Sequence, residues 1–210
     1  KRNSQVPLDA GFVALINCSQ ITIGNLTLAN NYHGILVAYT DNSLITQNSI
    51  SHNRWGIHLF CSSHNIVTLN KVAINSFCGI RLYNSSYNDL SQNDVMYNKI
   101  GMRVSGSLNN SVYHNNFISN SWQHAEIFIH GYANNWDNGL EGNYWSNYTR
   151  VDSNFDGIGD TPRTLDVDNT DRYPLTGLFS SFDVYQGRHV NVISNSTIED
   201  FEYFESNGTI

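Results

Sequence analysis

A glycine returns at Gly11, Gly34, Gly56, Gly79 and Gly101, at intervals of 23, 22, 23 and 22 residues. Fourteen residues after each glycine stands an asparagine: Asn25, Asn48, Asn70, Asn93 and Asn115. Five residues further on stands another: Asn30, Asn53, Asn75, Asn98 and Asn120. Self-similarity at one period of about 20–50 residues marks a stacked architecture. The apolar residues within each unit identify what is stacked. They alternate, as in Ile35 and Val37, Ile57 and Leu59, Ile80 and Leu82, Met102 and Val104. That is strand spacing. A second apolar pulse surrounds the first asparagine, as in Val67 and Val72 or Leu90 and Val95, and turn-forming Asn, Ser or Gly follows each pulse.

No heptad or sustained helical period occurs in these units, and the leucine-rich consensus is absent. The pattern predicts an all-β, single-stranded parallel β-helix, a solenoid of about 22 residues per coil in which each strand pairs with its copy about 4.8 Å away. The asparagines gain a reason from this stacking. At a turn Asn tolerates left-handed backbone, and in register each side-chain carbonyl can accept from the amide of a neighbouring coil. An unpaired buried amide costs about 1–3 kcal/mol, which a ladder avoids. Asn25, Asn48, Asn70, Asn93 and Asn115 are therefore expected to form a structural ladder.

Composition narrows the function. Charged residues make up 14% of the 210-residue chain, and asparagine, with 30 residues, takes their place. A net charge of −7 argues against nucleic acid as a partner. Cys18, Cys61 and Cys78 give neither an even disulfide framework nor a CxxC zinc pair. No stretch reads as a membrane-spanning segment or a signal peptide, and the opening Lys-Arg suggests a piece of something larger. Possible N-glycosylation sequons at Asn84, Asn109, Asn147 and Asn195, with others at Asn17, Asn25 and Asn207, lean towards an exported, extracellular or cell-surface protein. Asn25 is expected to be sequestered in the ladder.

Three regions are expected: coils over 1–140, an aromatic and Asp-rich cap over 141–178, and over 179–210 a β extension or the start of another β domain. Residues 121–140 read as an altered sixth coil, with Ala125, Ile127 and Ile129 inward and His124, Glu126, Phe128 and His130 outward.

The coils are followed by Gly142-Asn143-Tyr144-Trp145-Ser146-Asn147-Tyr148, then the Asp152–Asp160 run ending Asp160-Thr161-Pro162, then Arg172-Tyr173-Pro174-Leu175. Over residues 11–178 this resembles the NosD-like right-handed parallel β-helix proteins of the pectin-lyase-like superfold, in its archaeal and bacterial surface form. The resemblance implies a right-handed solenoid outside the cytoplasm and leaves the activity open, because that fold hosts lyases, hydrolases, adhesins and passive scaffolds. The family name suggests copper, but no Met/His/Cys cluster of suitable softness is evident.

Two sites stand out. Asp152, Asn154, Asp156, the carbonyl of Ile158, and Asp160 place oxygens at alternating positions, with Gly157 after the third. This begins the calcium-loop pattern, although Arg163 occupies the position of the closing Glu. The second site is an outward column of Leu36, His58, Arg81 and Arg103, beside Ala38, Phe60, Tyr83 and Ser105. His58, Phe60, Arg81, Tyr83 and Arg103 would make a shallow platform for an acidic sugar; the plainer alternative is a solvated arginine pair with snorkelling stems. Between residues 11 and 120 the acids are Asp41, Asp89 and Asp94, in different columns, which disfavours a hydrolytic carboxylate pair. The expectation is a non-catalytic structural or adhesive module with a calcium-stabilised cap, whose partners are glycans or copies of itself. A polysaccharide lyase or glycoside hydrolase acting on acidic glycans is the alternative.

Overall fold

The computed structural model describes residues 10–129, 131 and 133–179, and the backbone of an antiparallel pair, Ser181–Val184 with Arg188–Asn191. Among these residues no helix is long and apolar enough to cross a membrane. Three parallel sheets enclose one interior. Sheet A holds Val13–Ile16, His33–Ala38, Trp55–Phe60, Cys78–Tyr83, Ile100–Ser105 and Gln123–Ile127. Sheet B holds Thr22–Gly24, Leu44–Thr46, Ile66–Thr68, Asp89–Ser91 and Ser111–Tyr113. Sheet C holds Thr27–Ala29, Ser49–Ser51, Lys71–Ala73, Asp94–Met96, Asn116–Ile118 and Tyr144–Trp145. The register Val13–Ile35–Ile57–Ile80–Met102–Ala125 gives steps of 22, 22, 23, 22 and 23 residues. The chain is a parallel β-solenoid.

Each coil contributes four inward residues: two from sheet A and one from each of the others. Ile57, Leu59, Val67 and Val72 form one such layer, and Ile80, Leu82, Leu90 and Val95 the next; all are essentially fully buried. Burial at about 1.5–3 kcal/mol for each such side chain supplies the main driving force. Strand alternation thus sets which residues meet, and stacking turns the layers into a continuous core.

The glycine column stands where sheet C turns into sheet A. A Cβ on Gly56 would lie 2.5 Å from the Gly79 carbonyl oxygen and 2.5 Å from Val72 Cγ1. The next coil's backbone passes there, so no side chain fits. Two expectations need correction at the column's ends. Pairing of Val13 with Ile35 puts Phe12, not Gly11, in line with Gly34. At the other end His124 falls opposite Gly101. His124, expected outward, is buried, with Nδ1 3.3 Å from Asn120 Nδ2 and Nε2 3.1 Å from Ser146 Oγ. It fits because the last coil is followed by the cap and not by another strand of sheet A. Ile129, expected inward, is 60% exposed at a left-handed corner, φ 46°. His130 lies outside the described residues.

Every complete coil has four corners built alike. A left-handed residue is followed by one whose side-chain oxygen accepts from the equivalent backbone amide of the preceding coil. In one coil the pairs are Cys61/Ser62, His64/Asn65, Leu69/Asn70 and Ile74/Asn75. Four ladders result. One is hydroxylic: Thr40, Ser62, Ser85 and Ser107. A second runs Ser43, Asn65, Asn88, Asn110, Asn134 and Asn169. A third runs Asn48, Asn70, Asn93, Asn115 and Asn143, and a fourth Asn53, Asn75, Asn98 and Asn120.

Asn25 and Asn30 do not belong to these ladders. They are exposed left-handed corner residues, φ 59° and 64°, and the amides that donate to Asn48 and Asn53 are those of Leu26 and Asn31. Asn relieves left-handed strain at one position and accepts hydrogen bonds at the next, so the two uses sit side by side in sequence. The same geometry generates sequons. Asn84 and Asn109 are exposed corner residues, each followed by a ladder residue and then serine. Asn147 is exposed in the cap, and Asn195 lies outside the described residues.

The cap closes the core with rings. Trp136 and Trp145 are fully buried, and Trp145 stacks on Phe117 with centroids 4.5 Å apart. Asp171, also buried, ends the third ladder by accepting from the Asn143 amide at 2.9 Å and from Trp145 Nε1 at 2.8 Å.

Candidate functional site

The outer face of sheet A carries the chain's main departure from a plain scaffold. Register places Leu36, His58, Arg81, Arg103 and Glu126 in one file, with Ala38, Phe60, Tyr83 and Ser105 beside it. A third outward file holds His33, Trp55, Cys78, Ile100 and Gln123. Trp55, Cys78 and Ile100, with Phe77 from the corner, form an apolar pad separate from the solenoid core. The pad explains why a nominally outward face is half sealed.

Arg81 and Arg103 are adjacent, as their spacing predicted, and each is held by a ring. The Arg81 guanidinium sits 4.5 Å from the Trp55 centroid and 5.1 Å from Tyr83. That of Arg103 sits 4.0 Å from Phe128. Arg103 Nε also lies 2.8 Å from Glu126 Oε2, an ion pair whose N–H is not aimed well enough for a hydrogen bond. Burial, and then Arg103, lower the Arg81 pKa. Phe60 stacks on Tyr83 at 5.3 Å with a 5° tilt. Around the arginines opens a cleft of about 360 Å³ lined by Arg81, Tyr83, Asn84, Arg103, Ser105 and Phe128, among others. In sequence Glu126 shares a strand face with His124; its pairing with Arg103 emerges only once the coils are stacked.

His58 needs a different role from the one its column suggested. It is 7% exposed, stacked between His33 and Trp55, and its Nδ1 lies 3.2 Å from His33 Nε2. It backs Trp55, on whose ring Arg81 sits, and at this burial it presents little of its own ring to a ligand. Burial, then Arg81 and His33, push its pKa down to about 3. Burial, then Arg163, push His124 down to about 4. Unfolded, both would protonate near 6.5, so their contribution is full above pH 6.5 and lost as pH falls towards 3–4. Asp171 opposes this. Burial raises it to about 6, so stability from its protonation grows as pH falls from about 6 towards 4. The two histidines outweigh one carboxyl. Thermal unfolding followed from pH 7 to pH 4 should show a net loss of roughly 2–4 kcal/mol, with a shallower decline in His124→Gln.

A second, more open depression of about 780 Å³ lies at the other end of the same strands, lined by Ile74, Asn75, Ser76, Tyr97, Lys99, Ser121 and Trp122. Here Tyr32, Arg54, Phe77, Lys99 and Trp122 stack coil upon coil. Arg54 sits 5.2 Å from the Tyr32 centroid and 5.8 Å from Phe77, and Lys99 sits 5.9 Å from Phe77 and 4.9 Å from Trp122. Of the five basic residues between positions 11 and 120, Arg54, Arg81, Lys99 and Arg103 thus lie on or beside this one face; Lys71 lies on sheet C. Asp89 and Asp94 lie on sheets B and C.

In the cap, the Asp152–Asp160 loop turns its oxygens onto its own backbone. Asp152 Oδ2 accepts from the Gly157 amide at 2.9 Å, Asp156 Oδ1 from Ile158 at 2.8 Å, and Asp160 Oδ2 from Ser153 at 3.0 Å. Asn154 Nδ2 donates to Asp156 Oδ2 at 2.8 Å. Phe155 and Gly157 are left-handed. Among the described residues no three His, Cys, Asp or Glu side chains gather closely enough to hold a metal ion.

A family model described as "Periplasmic copper-binding protein (NosD)" matches residues 4–150. A protein of Stutzerimonas stutzeri, "Probable ABC transporter binding protein NosD", is 28% identical over 161 residues, covering 76% of this chain. This chain spans only 34% of that relative's length. Among solved structures, the periplasmic alginate epimerase AlgG is 28% identical over 54% of this chain and 31% of its own, with a TM-score of 0.42. A variant of AlgG gives 29%, 56%, 30% and 0.44.

Among the described residues the donors do not gather into a copper site. Cys78 is buried in the apolar pad, Met102 in the core, and Cys18 and Cys61 stand in separate coils. The touching pair, His33 and His58, supplies two nitrogens, and burial, then the Arg81 charge, depresses the pKa of both. No thiolate or thioether among the described residues joins this pair to make a soft copper set, and the Arg81 cation beside it opposes a bound metal cation. Matched over more than half its length, and folded as a solenoid in register, this chain belongs to the NosD family.

Proposed function

We propose that this chain is a non-catalytic module of an exported protein that binds an acidic glycan through the outer face of sheet A and is braced by calcium at its cap. One observation carries the glycan reading: four cations and their partner rings are segregated on one face of a chain whose net charge is −7. Guanidinium groups recognise carboxylates with strong, directional hydrogen bonds, and ring faces pack on the apolar faces of sugars. Catalysis finds less support. Glycoside hydrolysis needs two carboxylates about 5–9.5 Å apart, whereas the described outward file of sheet A offers Glu126, already held by Arg103.

Titration calorimetry against alginate, pectate and hyaluronan tests the reading. Binding to at least one, weakened about tenfold or more by Arg81→Ala and by raised salt, is the expected result. Glu126→Gln should strengthen it a few-fold by releasing Arg103. Failure of all three polyanions to bind would refute the proposal. Unsaturated uronates accumulating in the ultraviolet would replace it with a lyase.

Calcium rests on the oxygen spacing from Asp152 to Asp160 around the left-handed turn at Gly157; these oxygens accept from the loop's own amides, and binding would draw them off onto calcium. At a hundredfold excess over Kd, calcium should add about 2.7 kcal/mol of stability. Calorimetric unfolding with and without EGTA reads this directly, and Asp156→Asn should abolish the difference. An unfolding temperature indifferent to EGTA would remove calcium from the account.

A further inference from the structure

The arginine cleft and the Trp122 depression are lined from the same three coils, at opposite ends of Cys78–Tyr83, Ile100–Ser105 and Gln123–Ile127. Strands of six residues span about 16–20 Å. The surface between them is formed by half-buried Phe77 and the Arg103 side chain, over the buried Cys78 and Ile100. Arg103 bridges them, its guanidinium 4.0 Å from Phe128 on one side and 5.8 Å from Phe77 on the other. Exposed rings mark the far end: Trp122 is 63% exposed and Tyr97 57%, with Lys99 against the Trp122 face.

Resting on the glycan reading above, we infer that the two depressions are subsites of one groove, which takes an extended uronate oligosaccharide lying along the strands and across the solenoid axis. Arg81 and Arg103 hold a carboxylate at one end. Lys99 holds another at the far end, where Trp122 and Tyr97 receive a ring face. Between them, the Phe77 ring and the Arg103 stem face the intervening sugars. The span accommodates roughly three or four pyranose rings. Linking two weak contacts through one ligand raises the effective concentration of the second, so affinity depends on length.

The test uses the whole chain and two probes, a uronate disaccharide and a uronate decasaccharide, with affinity read by calorimetry and tryptophan emission recorded in parallel. The decasaccharide should bind at least tenfold more tightly. It should also quench the emission of exposed Trp122, and the quenching should vanish in Trp122→Phe. Trp122→Ala should cost most of the length advantage, while Arg81→Ala should weaken both probes. Equal affinity for the two probes, or a decasaccharide that leaves Trp122 emission unchanged, would overturn the single groove while leaving glycan binding at the arginine cleft intact. Absence of binding by either probe would remove the glycan reading and this inference with it.

Discussion

Asn70→Ala lowers the free energy of unfolding by about 3–5 kcal/mol. Asn70 is 1% exposed. Its Oδ1 accepts from the Asn48 amide at 3.0 Å and from Asn48 Nδ2 at 2.9 Å. Its Nδ2 donates to the Ile45 and Thr68 carbonyls and to Asn93 Oδ1. Alanine strands the Asn48 amide inside the rod, beyond the reach of water, and leaves two carbonyls short of a donor. Each such group costs about 1–3 kcal/mol, and the cavity adds to it. Denaturant titration measures the loss, and Asn25→Ala is the control. Asn25 is exposed and outside the ladder, so its change should be about 1 kcal/mol, the left-handed strain that Asn relieves there. Equal effects at the two positions would contradict the ladder as the source of stability.

Gly56→Ala should cost about 2–4 kcal/mol for a different reason. The added methyl meets the Gly79 carbonyl oxygen at 2.5 Å, and that carbonyl belongs to the neighbouring strand. Moving it disturbs the pairing of Trp55–Phe60 with Cys78–Tyr83, so relief by rotating one side chain is not open. Gly139→Ala offers a contrast. No atom lies within 4 Å there, but φ is +93°, so only backbone strain of about 1 kcal/mol is expected. Comparing the two separates crowding from conformation.

Much of the fold was legible because one physical rule repeated. Alternation named Ile57 and Leu59 as inward, and the period placed Arg81 beside Arg103 without coordinates. Two ladders remained unread although their residues recur in phase: Ser62, Ser85 and Ser107 six residues after each glycine, and Asn65, Asn88 and Asn110 nine after. The sequence pattern phases the first coil one residue early. Gly11 and Asn25 imitate the pattern, while the true ranks are held by Phe12 and Leu26, which lack a complete coil beneath them to enforce it. Asn143, Asn169 and Asp171 could not be placed, because they reach the ladders through the irregular path of the cap. The candidate site was half legible. Its cations followed from register, but the burial of His58 depends on Trp55 and His33 packing over a face that spacing alone reads as open.

The third ladder has a direction. From Asn48 to Asn115 each backbone amide donates towards the C-terminal end, to the side-chain oxygen of the next asparagine, and the last of the file, that of Asn143, meets a carboxylate. Dipoles aligned in file leave a partial positive charge at the donor terminus, as in the first turn of a helix, and an anion belongs there. Asp171 is thus the counterpart of a helix cap for a column of side chains. The rod is electrically asymmetric, and a further coil could not simply be appended beyond Asp171: it would have to supply its own acceptor and displace that charge.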